Sequence, residues 1–132
     1  MTDGKYDIDS RLAQLLAATV RLDADATIEL TVVVDATIMS GSVASRQAWE
    51  RRQNDQIRVG SPAIADAFAS VAATADDQKL NNDLYVHFLG PVLVTGGRQV
   101  RLQATRVDLR KVSDWSIGRM PADQEWHRPS YD

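Results

Sequence analysis

The chain has 132 residues and a mass of 14.6 kDa, is 44% hydrophobic and 25% charged, and carries a net charge of -3. Those values fit one soluble domain with a single core and leave no room for two domains around a cleft. Cysteine is absent, which excludes disulfides, thiolate metal sites and cysteine nucleophiles together. Residues 1–9 are acidic and polar, without the basic and then apolar regions of a secretory signal. No run approaches the ~20 apolar residues of a membrane span, so a cytoplasmic protein with no membrane partner is expected.

The first expected element is a helix from Ser10 or Arg11 to about Leu22. Leu12, Leu15, Leu16, Thr19, Val20 and Leu22 recur at three- and four-residue spacing, and Asp9 or Ser10 offers a capping oxygen. Its leucine-rich face is suited to covering one side of a sheet. After Asp23-Ala24-Asp25 the period changes to two. Ile28, Leu30, Val32 and Val34 alternate with Glu29, Thr31 and Val33, the pattern of a strand with one buried face. Asp35-Ala36 interrupts the run and a second strand follows from Thr37 to Val43, so the pair reads as a hairpin. Its turn is less favourable than Asp-Gly, because alanine is strained at positive φ. Gly41 within the second strand marks a bend or bulge.

Ser45 caps a second helix from Arg46 to about Ile57, mostly solvated and anchored by Trp49. Gly60 stops it, and Ser61-Pro62 starts a third. There Ile64, Ala67, Phe68, Val71, Ala72 and Ala75 form a small apolar stripe, expected to pack on the sheet in preference to pairing with its own copy. Asp76 to Asp83 reads as an exposed loop. Strands then return. Leu84, Val86 and Phe88 alternate with Tyr85, His87 and Leu89, Gly90-Pro91 breaks the ladder before Val92 to Val94, and Gly96-Gly97 makes a hairpin turn. On the returning strand Val100, Leu102 and Ala104 share one face, whereas Val107 and Leu109 have the opposite parity. That slip implies a bulge or bend near Thr105 and Arg106. A turn at Lys111 to Asp114 leads to a short strand from Trp115 to Gly118, and the tail from Pro121 onward has no period.

Charge is laid unevenly along this order. Residues 98–119 hold Arg98, Arg101, Arg106, Arg110, Lys111 and Arg119 against Asp108 and Asp114, a local +4. Such a window marks a partner or nucleic-acid surface, or simply supplies soluble outward positions on strands. Chemistry is sparse by comparison. His87 and His127 are the only histidines. His87 sits among apolar strand residues with no nucleophile motif near it and is expected to be a satisfied, partly buried structural residue. Asp76-Asp77 and Asp23/Asp25 lack the spacing of a calcium loop. Thr95-Gly96-Gly97-Arg98 leads into a strand, not a helix, and so does not form a phosphate cradle. The expectation is a protein that is not an enzyme and uses no metal or cofactor.

The run Ile-Glu-Leu-Thr-Val-Val-Val-Asp-Ala-Thr-Ile-Met-Ser-Gly-Ser-Val-Ala-Ser from Ile28 to Ser45 resembles the signature hairpin of the gas-vesicle accessory protein U family. Members show a similar strand, a short turn usually containing Asn-Gly, an Ile-Ser-Gly-like stretch and then a charged helix with an aromatic near its start. Asp35-Ala36, Met39-Ser40-Gly41 and Trp49 stand at those places here. The later part of the family pattern is similar to Leu84 to Val94, Gly96-Gly97 and Val112-Ser113-Asp114-Trp115 to Gly118, so the likeness spans about residues 10–119. Asp35-Ala36 lacks the usual turn glycine, and Ser113-Asp114 replaces an Asp-Gly pair. The resemblance implies a cytoplasmic, vesicle-associated accessory protein. It would act in assembly or clustering by binding gas-vesicle shell or accessory proteins, or other copies of itself.

The expected fold is α+β. A small, strongly bent antiparallel sheet of about five strands, Sm-like or a partial barrel, has an N-terminal helix and a helical insert at about 45–75 between strands two and three. Residues 1–119 form the domain and 120–132 an irregular tail. Candidate partner-binding residues are Trp49, Arg98, Arg101, Arg106, Arg110 and Trp115. The alternative function is an Sm-like nucleic-acid-binding module using the basic C-terminal strands. The acidic net charge and the placing of Tyr85 and Phe88 on opposite strand faces argue against nucleic acid as the partner.

Overall fold

The computed structural model describes residues 7–72 and 84–120. The expected loop at 76–83 and the tail from 121, with His127, lie outside them. Helix α1 spans Ser10–Ala18, and the Asp9 carboxylate accepts from the Arg11 and Leu12 amides at 2.9 and 3.0 Å. It ends earlier than its periodicity suggests. Thr19 leaves helical geometry, and its hydroxyl donates back to the Leu15 carbonyl at 2.7 Å, a bond by which threonine competes with regular helix. Val20 is still buried, in the turns that follow.

Strands β1 (Thr27–Val34) and β2 (Thr37–Ala44) form the expected hairpin, paired without a break from Thr27↔Ala44 to Val34↔Thr37. Asp35 and Ala36 have φ of 52° and 65°, the two positive values a tight hairpin turn demands. Helices α2 (Arg46–Gly60) and α3 (Pro62–Ala72) follow as the insert, with Ser45 capping α2 by accepting from the Ala48 amide at 3.1 Å. Strands β3 (Tyr85–Phe88), β4 (Val92–Thr95), β5 (Arg98–Arg101), β6 (Thr105–Asp108) and β7 (Val112–Ile117) complete the order.

The seven strands make one antiparallel sheet that does not close. Its path is β5-β4-β2-β1-β7, with β3 and β6 pairing beside the other end of β2. Two of the five strands expected from the sequence each bend into a pair. Leu89–Pro91 divides β3 from β4, and 102–104 divides β5 from β6, so the parity slip has its cause just before Thr105 and Arg106. The final turn lies earlier than expected. Asp108 caps a 3-10 turn at Leu109–Lys111, and β7 begins directly at Val112, with a register shift against Val33/Val34.

No bulge interrupts β2 at Gly41, which keeps its register with Leu30 and does not have positive φ. The reason for glycine is proximity: a Cβ there would lie 3.0 Å from the Pro91 Cα. Gly41 is where β2 changes partner from β4 to β3, and Pro91 at the bend of the facing strand fills the space a side chain would take.

The core joins Leu12, Leu16 and Val20 to Leu30, Val32, Met39 and Val43 of the first hairpin and to Val86, Phe88, Val107, Leu109 and Val112. The alternating residues of β1 thus face α1 as their period requires. The opposite face is polar. Arg119 donates to Glu29 at 2.7 Å and to Ser42 at 2.8 Å, the Met120 amide donates to Ser40 at 2.7 Å, and Thr31 donates to the Gly118 carbonyl at 2.9 Å. The Arg119 guanidinium and the Ser42 hydroxyl hold the Glu29 carboxyl below its ordinary range.

Candidate interaction surface

The six candidate residues do not form one patch. Trp49, on α2, is buried, and its ring meets His87 of β3 edge-on at 5.2 Å. Arg106 of β6 lies opposite His87 in the strand register and lays its guanidinium 4.3 Å from the Tyr85 ring centroid and 5.8 Å from that of Trp49. These cation–π contacts fasten α2 to the sheet, with one further tether where the Ala104 amide donates to Gln56 at 3.3 Å. Arg110 is held by its neighbour: Nε and NH2 donate to the two carboxylate oxygens of Asp108 at 3.0 and 2.9 Å. Trp115 is half-buried against the core from β7, and its indole, after the Leu12 amide, helps to hold the Asp9 carboxyl below its ordinary value. Of the basic window, Arg98 and Arg101 are exposed on β5, a strand whose four residues are all exposed, while Arg106 and Arg119 are exposed but engaged with Tyr85 and Glu29, and Lys111 is half-buried.

That strand is one side of the open sheet. Beyond β4 it has no further strand partner among the described residues, and β7 likewise pairs only with β1. β6 also has no strand partner beyond β3 among the described residues, and the free edges at β5 and β7 differ in charge. β5 presents Arg98 and Arg101, whereas β7 presents Asp114, with Ser113, Ser116 and Ile117 also exposed. Unpaired edges are places where another chain adds by main-chain hydrogen bonding unless they are blocked.

The helical insert contributes a second surface, contrary to the expectation that α3 packs on the sheet. Among the residues of α3 whose burial is described, only Ala65 is buried, on a helix that packs against α2, while Ile64, Phe68 and Val71 are 61%, 44% and 67% exposed. Periodicity identified the stripe, but the short link at Ser61 seats α3 on α2, bridged by Arg58 and Asp66 at 3.2 Å, and carries the stripe away from the core. Val59 beside it is 88% exposed.

His87 differs from its expected role in one respect. It is buried, at 4% exposure, but its Nε2 has no hydrogen-bond partner. Burial, with the positive charges of Arg106, Arg21 and Arg46, pushes it down to about 4. Sequence reasoning did not pick out Arg21 and Arg46, which lie on separate elements and meet His87 only in the fold. Among the described residues, no group of three or more His, Asp or Glu side chains is placed to hold a metal ion, and no helix is long and apolar enough to cross a membrane.

Compared with protein-family models, curated proteins and solved structures, the chain matches none.

Proposed function

We propose that this chain is a non-enzymatic, cytoplasmic accessory factor of gas vesicles, acting in their assembly or clustering by binding other vesicle proteins or further copies of itself. The resemblance of the Ile28 to Ser45 hairpin to the accessory protein U family supplies the vesicle context. The observation that carries the binding role is the open sheet with two unpaired edges of opposite charge, β5 with Arg98 and Arg101 and β7 with Asp114. A heterologous contact of this kind, edge to opposite edge, generates rings or chains of copies. The exposed stripe Ile64, Phe68 and Val71 offers a separate apolar contact for a shell or accessory protein.

The alternative, an Sm-like nucleic-acid-binding module, rests on fewer cations than the sequence suggested. Arg110 is paired with Asp108, Arg119 with Glu29, and Arg106 is stacked on Tyr85, so Arg98 and Arg101 are the exposed arginines of the window without a charged or aromatic partner among the described residues. Three measurements test the proposal. Sedimentation at rising protein concentration is expected to show association that weakens with salt and with Arg98→Glu plus Arg101→Glu. Pull-down from a vesicle-forming cell is expected to recover shell or accessory proteins, and deletion is expected to alter vesicle number or clustering. A chain that stays monomeric, recovers no vesicle protein and leaves vesicles unchanged when deleted overturns the reading. Salt-sensitive binding to an RNA pool in its place favours the alternative.

A further inference from the structure

A cavity of about 350 Å³ opens at the amino-terminal end of α2. Its walls come from three parts of the chain: Arg21 and Leu22 after α1, Ser45 to Gln47 at the start of α2, and Tyr85 and His87 on β3. Among the described residues, two arginines and no acidic side chain line it. The volume falls within the range of small-molecule sites.

We propose that this cavity binds a small oxyanion, the phosphate or carboxylate group of a small molecule. Four observations converge on it. Arg46 and Gln47 are the first two residues of α2, so their amides have no carbonyl to bond within the helix and lie at its positive end. Arg46 Nε is buried without a hydrogen-bond partner, although the same guanidinium reaches Glu50 through NH1 at 2.8 Å. His87 lines the cavity, 4% exposed, and its Nε2 also lacks a partner. Arg21, its NH2 donating to the Tyr85 carbonyl at 3.0 Å, brings a second guanidinium to the same wall.

Buried polar atoms are almost always satisfied, and those that are not mark a place for water or an ion. An oxyanion fits the donor set better than water does. It accepts from Arg46 Nε and the helix amides, and it supplies a negative charge where Arg21, Arg46 and Arg106 surround one imidazole. Among the described residues, Glu50 is bonded to Arg46 and Asp108 to Arg110, while Asp23 and Asp25 stand exposed in the turn beside Leu22 and Ala24. With an anion in place, His87 takes up a proton and donates from Nε2, so binding of an anion that itself stays ionised, such as dihydrogen phosphate, strengthens as the solution is acidified.

The test is an NMR titration of the full chain with inorganic phosphate and, separately, with acetate, at ionic strength held constant with sodium chloride. His127→Gln leaves His87 as the sole imidazole. The expected result is saturable movement of the Arg46 and Gln47 amides and the His87 ring with a single dissociation constant, and a His87 midpoint raised by roughly one unit or more at saturation. Saturation by phosphate alone identifies a phosphate site, and by acetate alone a carboxylate site. Arg46→Lys keeps the charge and the helix but removes Nε, and is expected to weaken binding about tenfold, the scale of one charge-assisted hydrogen bond. Arg51→Gln, at an exposed position of α2, is expected to leave it unchanged. Shifts that chloride reproduces, shifts that never saturate, or Arg46→Lys binding as tightly as the unaltered chain overturns the proposal.

Discussion

Replacing Gly41 by alanine tests how the sheet bends over its core. The added Cβ would stand 3.0 Å from the Pro91 Cα and 3.4 Å from its Cβ, so backbone must move. Neither side yields easily. β2 is locked to β1 in unbroken register, while the facing bend is held by the Leu89 amide on the Ser42 carbonyl at 2.9 Å and the Leu102 amide on the Pro91 carbonyl at 2.8 Å. Overpacking of this kind costs about 1–3 kcal/mol. A smaller gain of about 0.4–1 kcal/mol from the stiffer unfolded chain offsets part of it. The net loss is about 1–2 kcal/mol, which lowers Tm by roughly 3–10 °C for a domain of this size, and Gly41→Val is expected to lose more. Gly60 is the control. It also lacks a positive φ, but a Cβ there meets nothing within 4 Å, so Gly60→Ala at the end of α2 is expected to stabilise by about 0.5 kcal/mol. Urea and thermal unfolding of the three variants decide the matter, and a Gly41→Ala protein as stable as the parent refutes the close-approach reasoning.

Three further outcomes are expected. His87 is held near 4 in the fold against 6.5 in the open chain, so only the unfolded state takes up its proton between those values. Stability is therefore complete above pH 6.5 and falls by roughly 3 kcal/mol as pH drops through 4; urea midpoints across that window are expected to show the decline, and His87→Gln to flatten the part of it above about pH 5.5, where the carboxyls of the open chain are still ionised. Ala36 has φ of 65°, and Ala36→Gly is expected to raise stability by about 0.5–1 kcal/mol in the same assay, with no gain if the turn is not under strain. Phe88 is fully buried, and Phe88→Ala is expected to cost about 3–5 kcal/mol by calorimetry, a loss below 1 kcal/mol being incompatible with its place in the core.

The local order of this fold is written in short-range pattern. The β1–β2 hairpin follows from alternation, the start of α2 from Ser45, and the break before β6 from a parity slip at Val107. Contacts between distant segments leave no such trace. Nothing near Trp49 signals Arg106, and nothing near His87 signals Arg21 and Arg46, because those meetings depend on how α2 lies across β3 and β6. The same limit explains α3. A stripe at helical spacing records that one face is apolar, not what covers it, and here the geometry of the α2–α3 link decides. The basic window likewise reads as one surface in the sequence, yet strand direction and the Asp108–Arg110 pair distribute it among separate environments.

The placing of β7 has a consequence for how the protein is made. The strand that covers β1 arrives last in the sheet. Ser113 bonds to Val33 across 80 positions of sequence, and Gly118 receives a bond from Thr31 across 87. At ~5–20 residues per second on the ribosome, roughly 4 to 16 s separate synthesis of the two partners. During that interval the edge of β1 that β7 covers in the fold has no strand to pair with. Nascent chains are then most open to pairing with one another, and a release that halts before Val112 leaves a hairpin without the strand that completes its sheet.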